Sequence, residues 1–290
     1  MRVILLLITL VLFASAKEES YRLDNIDSNR SVESMKSWLA GDFGLKPYRP
    51  NYILPYGYST RTYESNVPTI DYTNQEAELQ VSLKLQVAQN LLGLDERYYV
   101  SYTHQAFWQI YINSAPFREN LYNPEGFVIF PIDDKDSMFK LHSFKLALAH
   151  RSNGQPDTRD VYFDNNESLG NLSRSVNYVY ATLRMQHKTL ITDITAWVPF
   201  PESKESSDNP DLMNYTGYSS IKFTYFYNEH MFTLMGRGNY VTQKGAVEAT
   251  YSYPLWHDNF FVKIFSGYNE SLIDYNHELT KISVGFSFSR

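Results

Sequence analysis

His150 and Ser152 stand two residues apart in the stretch FKLALAHRSNGQ, residues 144–155. Two steps along an extended chain return a side chain to the same face, with Cα atoms roughly 6.5–7 Å apart. At that spacing an imidazole can turn to accept the serine hydroxyl proton, which is the opening move of nucleophilic acyl transfer. A third group must then hold the imidazole in one tautomer and orientation. The segment SRSVNYVYATLRM, residues 173–185, supplies a candidate in Asn177.

The elements that position these groups are legible in the alternation around them. Phe144, Leu146 and Leu148 share a face with His150 and Ser152, while Val179, Ala181, Leu183 and Met185 share one with Asn177. Turn residues crowd the intervening NGQPDTRDVYFDNNESLGNL, so the two segments read as antiparallel neighbours in a hairpin. Antiparallel pairing keeps the sum of partner numbers constant. Placing His150 opposite Asn177 therefore sets Ser152 opposite Ser175 and leaves a loop of about residues 154–173. Opposed side chains have Cβ atoms roughly 4.5–5.5 Å apart, close enough for Asn177 to accept the proton on the second imidazole nitrogen. A neutral amide beside an apolar face avoids the larger desolvation penalty of an ionised aspartate. It also stabilises an imidazolium less, so the constellation calls for a further electrophile.

The same period of two runs from about residue 43 to the C-terminus. Leu79, Val81, Leu83, Leu85 and Val87 oppose Glu78, Gln80, Ser82, Lys84 and Gln86. Tyr98, Val100, Tyr102, His104, Ala106, Trp108 and Ile110 form another apolar-rich series, and the chain closes on Ile282, Val284, Phe286 and Phe288. Around eleven or twelve such segments fit, many of about ten residues, which is the length a tilted strand needs to cross lipid. The expected architecture is an all-β antiparallel transmembrane β-barrel over residues 43–290. A polar lumen face explains a mean hydropathy of only −0.39. A secreted soluble β-protein shows similar alternation, with shorter strands and a buried apolar face.

The first sixteen residues read as a secretory signal: Arg2, an apolar run from Val3 to Phe13, then Ala14-Ser15-Ala16. Residues 17–42 are expected to form a periplasmic N-terminal extension. No later run approaches the roughly eighteen apolar residues of a membrane-spanning helix. With no cysteine, no disulfide framework holds the exported chain. A net charge of −6 leaves no basic stripe and argues against nucleic acid as a partner. On a lipid-facing surface, polar groups such as His150, Ser152 and Asn177 are costly and commonly functional. They could also lie in the headgroup zone, where they would cost little.

At these residues the sequence resembles the outer-membrane phospholipase A family of bacteria. The motifs that carry the resemblance are YTHQAFWQ at 102–109, NSAPFRENLYNPEGF at 113–127, HRSNG at 150–154, SRSVN at 173–177, DNPD at 208–211 and SGYNESLIDYN at 266–276. The resemblance implies a twelve-stranded barrel that hydrolyses acyl esters of membrane phospholipids in the bacterial outer membrane. It also implies calcium dependence and a homodimer when active, with a resting monomer. By resemblance, Ser152 is the nucleophile, His150 the general base, Asn177 its orienting partner, and the Gly154 amide helps bind the oxyanion. Calcium ligands carry over to the Gln155 carbonyl, the Ser173 hydroxyl and a Ser114 contributed by the partner subunit. Asp208 matches a ligand of the monomeric form. Read alone, Ser114, Ser173 and Asp208 are ordinary turn residues. The sequence departs from the family at Gln155, commonly arginine, at His104, where the family can have a glutamine at the dimer contact, and in a longer 154–173 loop. The competing expectation is a non-catalytic barrel, either a pore with its distinctive charges in the lumen or an adhesin with its determinants in the loops. A soluble secreted lipase is a third.

Overall fold

The alternating segments close on themselves. A computed structural model describes residues 44–65, 70–132, 138–157, 170–200 and 208–290. Within them a short β1 (Leu45–Pro47) precedes β2 (Asn51–Ser59), β3 (Gln75–Gln89), β4 (Arg97–Trp108), β5 (Phe117–Pro131) and β6 (Leu141–Ser152). β7 (Ser175–His187), β8 (Leu190–Pro199), β9 (Ser219–Tyr227), β10 (His230–Asn239), β11 (Lys244–Leu255), β12 (Asp258–Gly267) and β13 (Leu279–Ser289) follow. A five-residue helix α1 (Leu212–Thr216) lies between β8 and β9. Strands β2 to β13 form a closed twelve-stranded antiparallel barrel, each paired with its sequence neighbours and β13 with β2. β1 and β2 share one edge of β3, with Pro47 opposite Leu83 and Tyr52 opposite Gln80. Closure pairs the strand edges that a bilayer would otherwise leave unsatisfied. The expected signal segment 1–16 and extension 17–42 lie outside the described residues.

Side chains divide as the period of two requires. On β6, Leu148 is 54 % exposed on the outer wall, while its neighbour Ala149 is 3 % exposed and faces the lumen. Val81, Val100, Ile194, Phe223, Leu234, Ile264 and Ile282 are exposed in the same outward sense. Inside, many polar side chains are paired. Arg118 Nε donates to Glu76 Oε2 at 2.9 Å and Nη1 to Asp274 Oδ2 at 2.5 Å. Lys281 reaches Glu76 at 2.8 Å, and Lys263 reaches Glu78 at 2.6 Å. Glu119 accepts the amides of Leu272 and Ile273 at 2.8 and 2.7 Å. The motifs at 113–127 and 266–276 thus clamp each other across the lumen. Buried charges persist where partners and hydrogen bonds offset their lost hydration, and here a mutually paired set occupies part of the interior.

The two ends of the barrel differ. At one, β7–β8, β9–β10 and β11–β12 turn through two residues, led by Lys188, Asn228 and Trp256 at φ 54°, 51° and 58°. This is the geometry that matches strand twist in tight hairpins. At the other end run the connections 60–74, 109–116, 153–174, 200–218 and 268–278. Outer-membrane barrels keep short turns on the periplasmic side and longer loops outside. β6 ends, and β7 begins, at the long-loop end.

Candidate active site

β6 and β7 meet in the expected register: Leu148 pairs with Val179, His150 with Asn177, and Ser152 with Ser175. His150 Nδ1 lies 2.9 Å from Asn177 Oδ1. An amide oxygen only accepts, so the proton of this bond sits on Nδ1, and Nε2 is the nitrogen left to act as a base. Ser152 follows two residues on, on the same outward face, and all three side chains are half-buried. Among the described residues no hydrogen bond joins the Ser152 hydroxyl to His150. The imidazole and the asparagine amide are therefore in contact, and Ser152 shares their outward face.

β5 supplies the other flank. Tyr122 pairs with Ser152, and across β4 it pairs with His104, whose ring stacks on it at 5.2 Å and 8°. His104 Nε2 lies 3.1 Å from Asn120 Oδ1. Continuing the register from Tyr122–Ser152 to Glu125–Ala149 places Pro124 opposite His150. Proline has no N–H to give the ladder, and the Asn123 side chain donates to the His150 carbonyl instead, at 2.7 Å. Below Ser152 the outer wall has an apolar hollow of about 430 Å³, bordered by Val87, Tyr98, Gly126, Val128, Leu146 and Leu148.

Beyond Ser152 the chain turns at Gly154, whose φ is +64° and where a Cβ would meet Tyr122 Cε2 at 2.7 Å. Both the left-handed backbone and the approach of the tyrosine ring call for glycine. Buried Asn153 stitches the two ends of the loop together. Its Oδ1 accepts from Gln155 N and Arg174 N at 3.2 and 2.9 Å, and its Nδ2 donates to Leu172 O at 2.8 Å. Asn209 Oδ1 accepts from Ser175 N at 2.9 Å and ties the start of β7 to the segment before α1.

The expected metal ligands are only partly gathered. The Ser173 hydroxyl donates to Asp208 Oδ2 at 2.6 Å, and Asn171 Nδ2 donates to Asp208 Oδ1 at 2.9 Å. Gln155 joins them through Asn153. Ser114 sits exposed at φ 64° on the β4–β5 connection and is bonded to none of them. The donor set is all oxygen: a carbonyl, a hydroxyl and one carboxylate. Such a set suits a hard divalent cation like calcium. It falls outside the clusters of three or more His, Cys, Asp or Glu that mark other metal sites, none of which occurs among the described residues. Sequence reasoning missed Asn123, Asn153 and Tyr122. The available signals were Pro124, which strands a carbonyl on its neighbour, and an asparagine-glycine pair at a strand end.

Comparison with known proteins bears on this geometry. Residues 28–288 match the family model described as phospholipase A1. A putative phospholipase A1 of Neisseria meningitidis serogroup B is 33 % identical over 272 residues, covering 88 % of this chain and 68 % of that protein. The outer membrane phospholipase of Salmonella typhi, solved as a dimer with bound calcium, superposes with a TM-score of 0.74 at 29 % identity, over 85 % of this chain and 92 % of that one. An active-site mutant of the Escherichia coli outer membrane phospholipase A, asparagine to alanine, superposes with a TM-score of 0.74 at 28 % identity, over 85 % and 92 %. With the match running through almost every strand of the barrel, this chain belongs to the phospholipase A1 family, the carboxylic ester hydrolases of the bacterial outer membrane.

Proposed function

We propose that this outer-membrane phospholipase cleaves the acyl esters of glycerophospholipids through a Ser152–His150–Asn177 triad on its lipid-facing wall. The observation that carries this reading is the 2.9 Å contact of His150 Nδ1 with Asn177 Oδ1, on the outward face that Ser152 shares. A substrate ester held at the height of Ser152 would rest its acyl chain in the hollow along Leu146 and Leu148. Ser152 Oγ attacks the carbonyl carbon as its proton passes to His150 Nε2. The Gly154 amide donates to the carbonyl oxygen as it becomes an oxyanion. When the tetrahedral adduct collapses, His150 returns the proton to the departing glycerol oxygen, leaving an acyl-serine. Water then attacks by the same route, giving up its proton to His150, which passes it back to Ser152 as the fatty acid leaves. Asn177 keeps its hydrogen bond to Nδ1 throughout and holds the imidazolium in place.

The groups that would hold calcium are the Gln155 carbonyl, the Ser173 hydroxyl and Ser114 of the partner subunit, with Asp208 serving the resting monomer. Bound there, calcium would supply the positive charge that a neutral asparagine does not. The need for a serine from a second copy makes the active form a homodimer. An asparagine in the active site of the Escherichia coli enzyme, and a calcium-bound dimer of the Salmonella one, support the same reading.

The test is phospholipid hydrolysis in detergent micelles by refolded protein, with calcium or with chelator, for wild type and Ser152→Ala. Hydrolysis that needs calcium and disappears in Ser152→Ala is expected. Full activity in Ser152→Ala would remove the proposed nucleophile, and undiminished activity in chelator would remove the metal.

A further inference from the structure

The lumen holds a cavity of about 330 Å³, far above the roughly 10–15 Å³ a single water needs. Arg49, Arg151, Lys222, Arg237 and Lys263 line it, against Glu248 and Glu270. Two of these cations are taken: Arg49 pairs with Glu125, and Lys263 with Glu78 at 2.6 Å. Arg151, Lys222 and Arg237 form no ion pair among the described residues. Arg237 Nη2 donates to the carbonyls of Tyr268 and Asn269 at 2.7 and 2.9 Å, yet its Nη1 is buried with no hydrogen-bond partner. A second cavity of about 170 Å³, beside α1, is lined by the same Arg151 and Arg237, so the two guanidiniums stand where the cavities adjoin.

Glu248 offsets the charge of Lys222 and Arg237, and Glu119 that of Arg151, but none of these carboxylates comes within ion-pair distance, so the three cations recover only part of their desolvation penalty. An anion held among them would supply the closer partner. Guanidinium groups present planar, forked donors that match an oxyanion better than a spherical halide. The ligand must also enter from water, because the barrel wall separates this cavity from the lipid face that bears Ser152. We propose that Arg151 and Arg237, with Lys222, form a lumenal binding site for a small oxyanion of the phosphate class. Arg151 lies between His150 and Ser152 in β6, so a bound anion would pin from within the backbone that carries both.

Refolded wild type in an uncharged detergent should be titrated calorimetrically with orthophosphate and, separately, with sn-glycero-3-phosphocholine. Melting should be followed in parallel against sodium chloride at equal ionic strength. One saturable site and a rise in Tm beyond the chloride control are expected for at least one of the two. Response to orthophosphate alone assigns a free phosphate, and response to the phosphodiester assigns a deacylated, water-soluble glycerophosphodiester. The double variant Arg151→Met/Arg237→Met should bind at least about tenfold more weakly, the equivalent of one charge-assisted contact. Folding of the variant is checked by its heat-modifiable gel mobility. If it does not fold, Lys222→Met is read instead and should weaken binding. No response to either ligand, or undiminished binding in the variants, overturns the site.

Discussion

Replacing Asn177 with alanine isolates its proposed orienting role, because its contact with His150 is the one bond of the proposed triad already made. The substitution deletes the 2.9 Å hydrogen bond and leaves the barrel wall intact, since Asn177 is half-buried on the outer face. The bond gains strength when His150 becomes an imidazolium, and hydrogen bonds to charged groups contribute about 1.5–3 kcal/mol. Each 1.36 kcal/mol is tenfold in rate, so kcat should fall by about ten- to 150-fold. Asn177 does not touch the substrate, and KM should change little. The assay is initial-rate hydrolysis of a phospholipid in mixed micelles with saturating calcium, across substrate concentrations, with folding checked by gel mobility. A kcat within about twofold of wild type would refute the orienting role. A loss as deep as that of Ser152→Ala would show that Asn177 does more than orient.

The loops at the active-site end of the barrel give three further outcomes. Gly154→Ala places a methyl 2.7 Å from Tyr122 on a backbone at φ +64°, adding roughly 1–2 kcal/mol of left-handed strain. It should cut kcat while the melting temperature moves little, and adding Tyr122→Ala should recover only part of the rate. Asn153→Ala removes three side-chain hydrogen bonds from the loop ends, a loss of about 2–4 kcal/mol. Limited proteolysis should then cut within 154–173 at protease levels that spare wild type. Burial alone would push the Asp274 carboxyl up, but the His277 imidazole at 3.4 Å and the Arg118 guanidinium at 2.5 Å outweigh it and hold it below the ordinary carboxylate range. A folded value below the unfolded one, about 3.9, gives stability that is present above that pH and lost as pH falls through the lowered value. Hydrogen exchange across 268–278 should accelerate only in that acid window, and Asp274→Asn should flatten the dependence.

Much of the catalytic geometry is legible in the order of the residues. The strict alternation of Phe144, Leu146 and Leu148, with one apolar series on each side of a turn-rich loop, puts His150 and Asn177 on one face, while the register that opposes them is an assumption at the level of sequence, since a shift of two residues keeps every face. A slip of one residue would turn every leucine inward. The lumen is not readable in the same way. Arg118 meets Asp274, and Glu119 meets Leu272, across more than 150 residues of sequence, and no local period encodes which lumenal side chains meet across a closed barrel. The same holds for Asn153, whose value lies in bonding both ends of its loop at once. For the proposed metal, Ser173 and Asp208 are adjacent in space, but candidate oxygen ligands drawn from turns look like any other turn residues.

Pro124 carries one last consequence. A barrel wall is stiff because each stave is bolted to the next through its own backbone, and a missing N–H on β5 takes out one bolt at the height of His150. In its place is a side-chain amide, Asn123, buried in the lumen and donating to the His150 carbonyl. Where the ladder lacks a rung, a lumenal side chain holds the backbone that carries His150. On the proposed mechanism, a substitution of Asn123 would reach the imidazole through the wall without touching the lipid face.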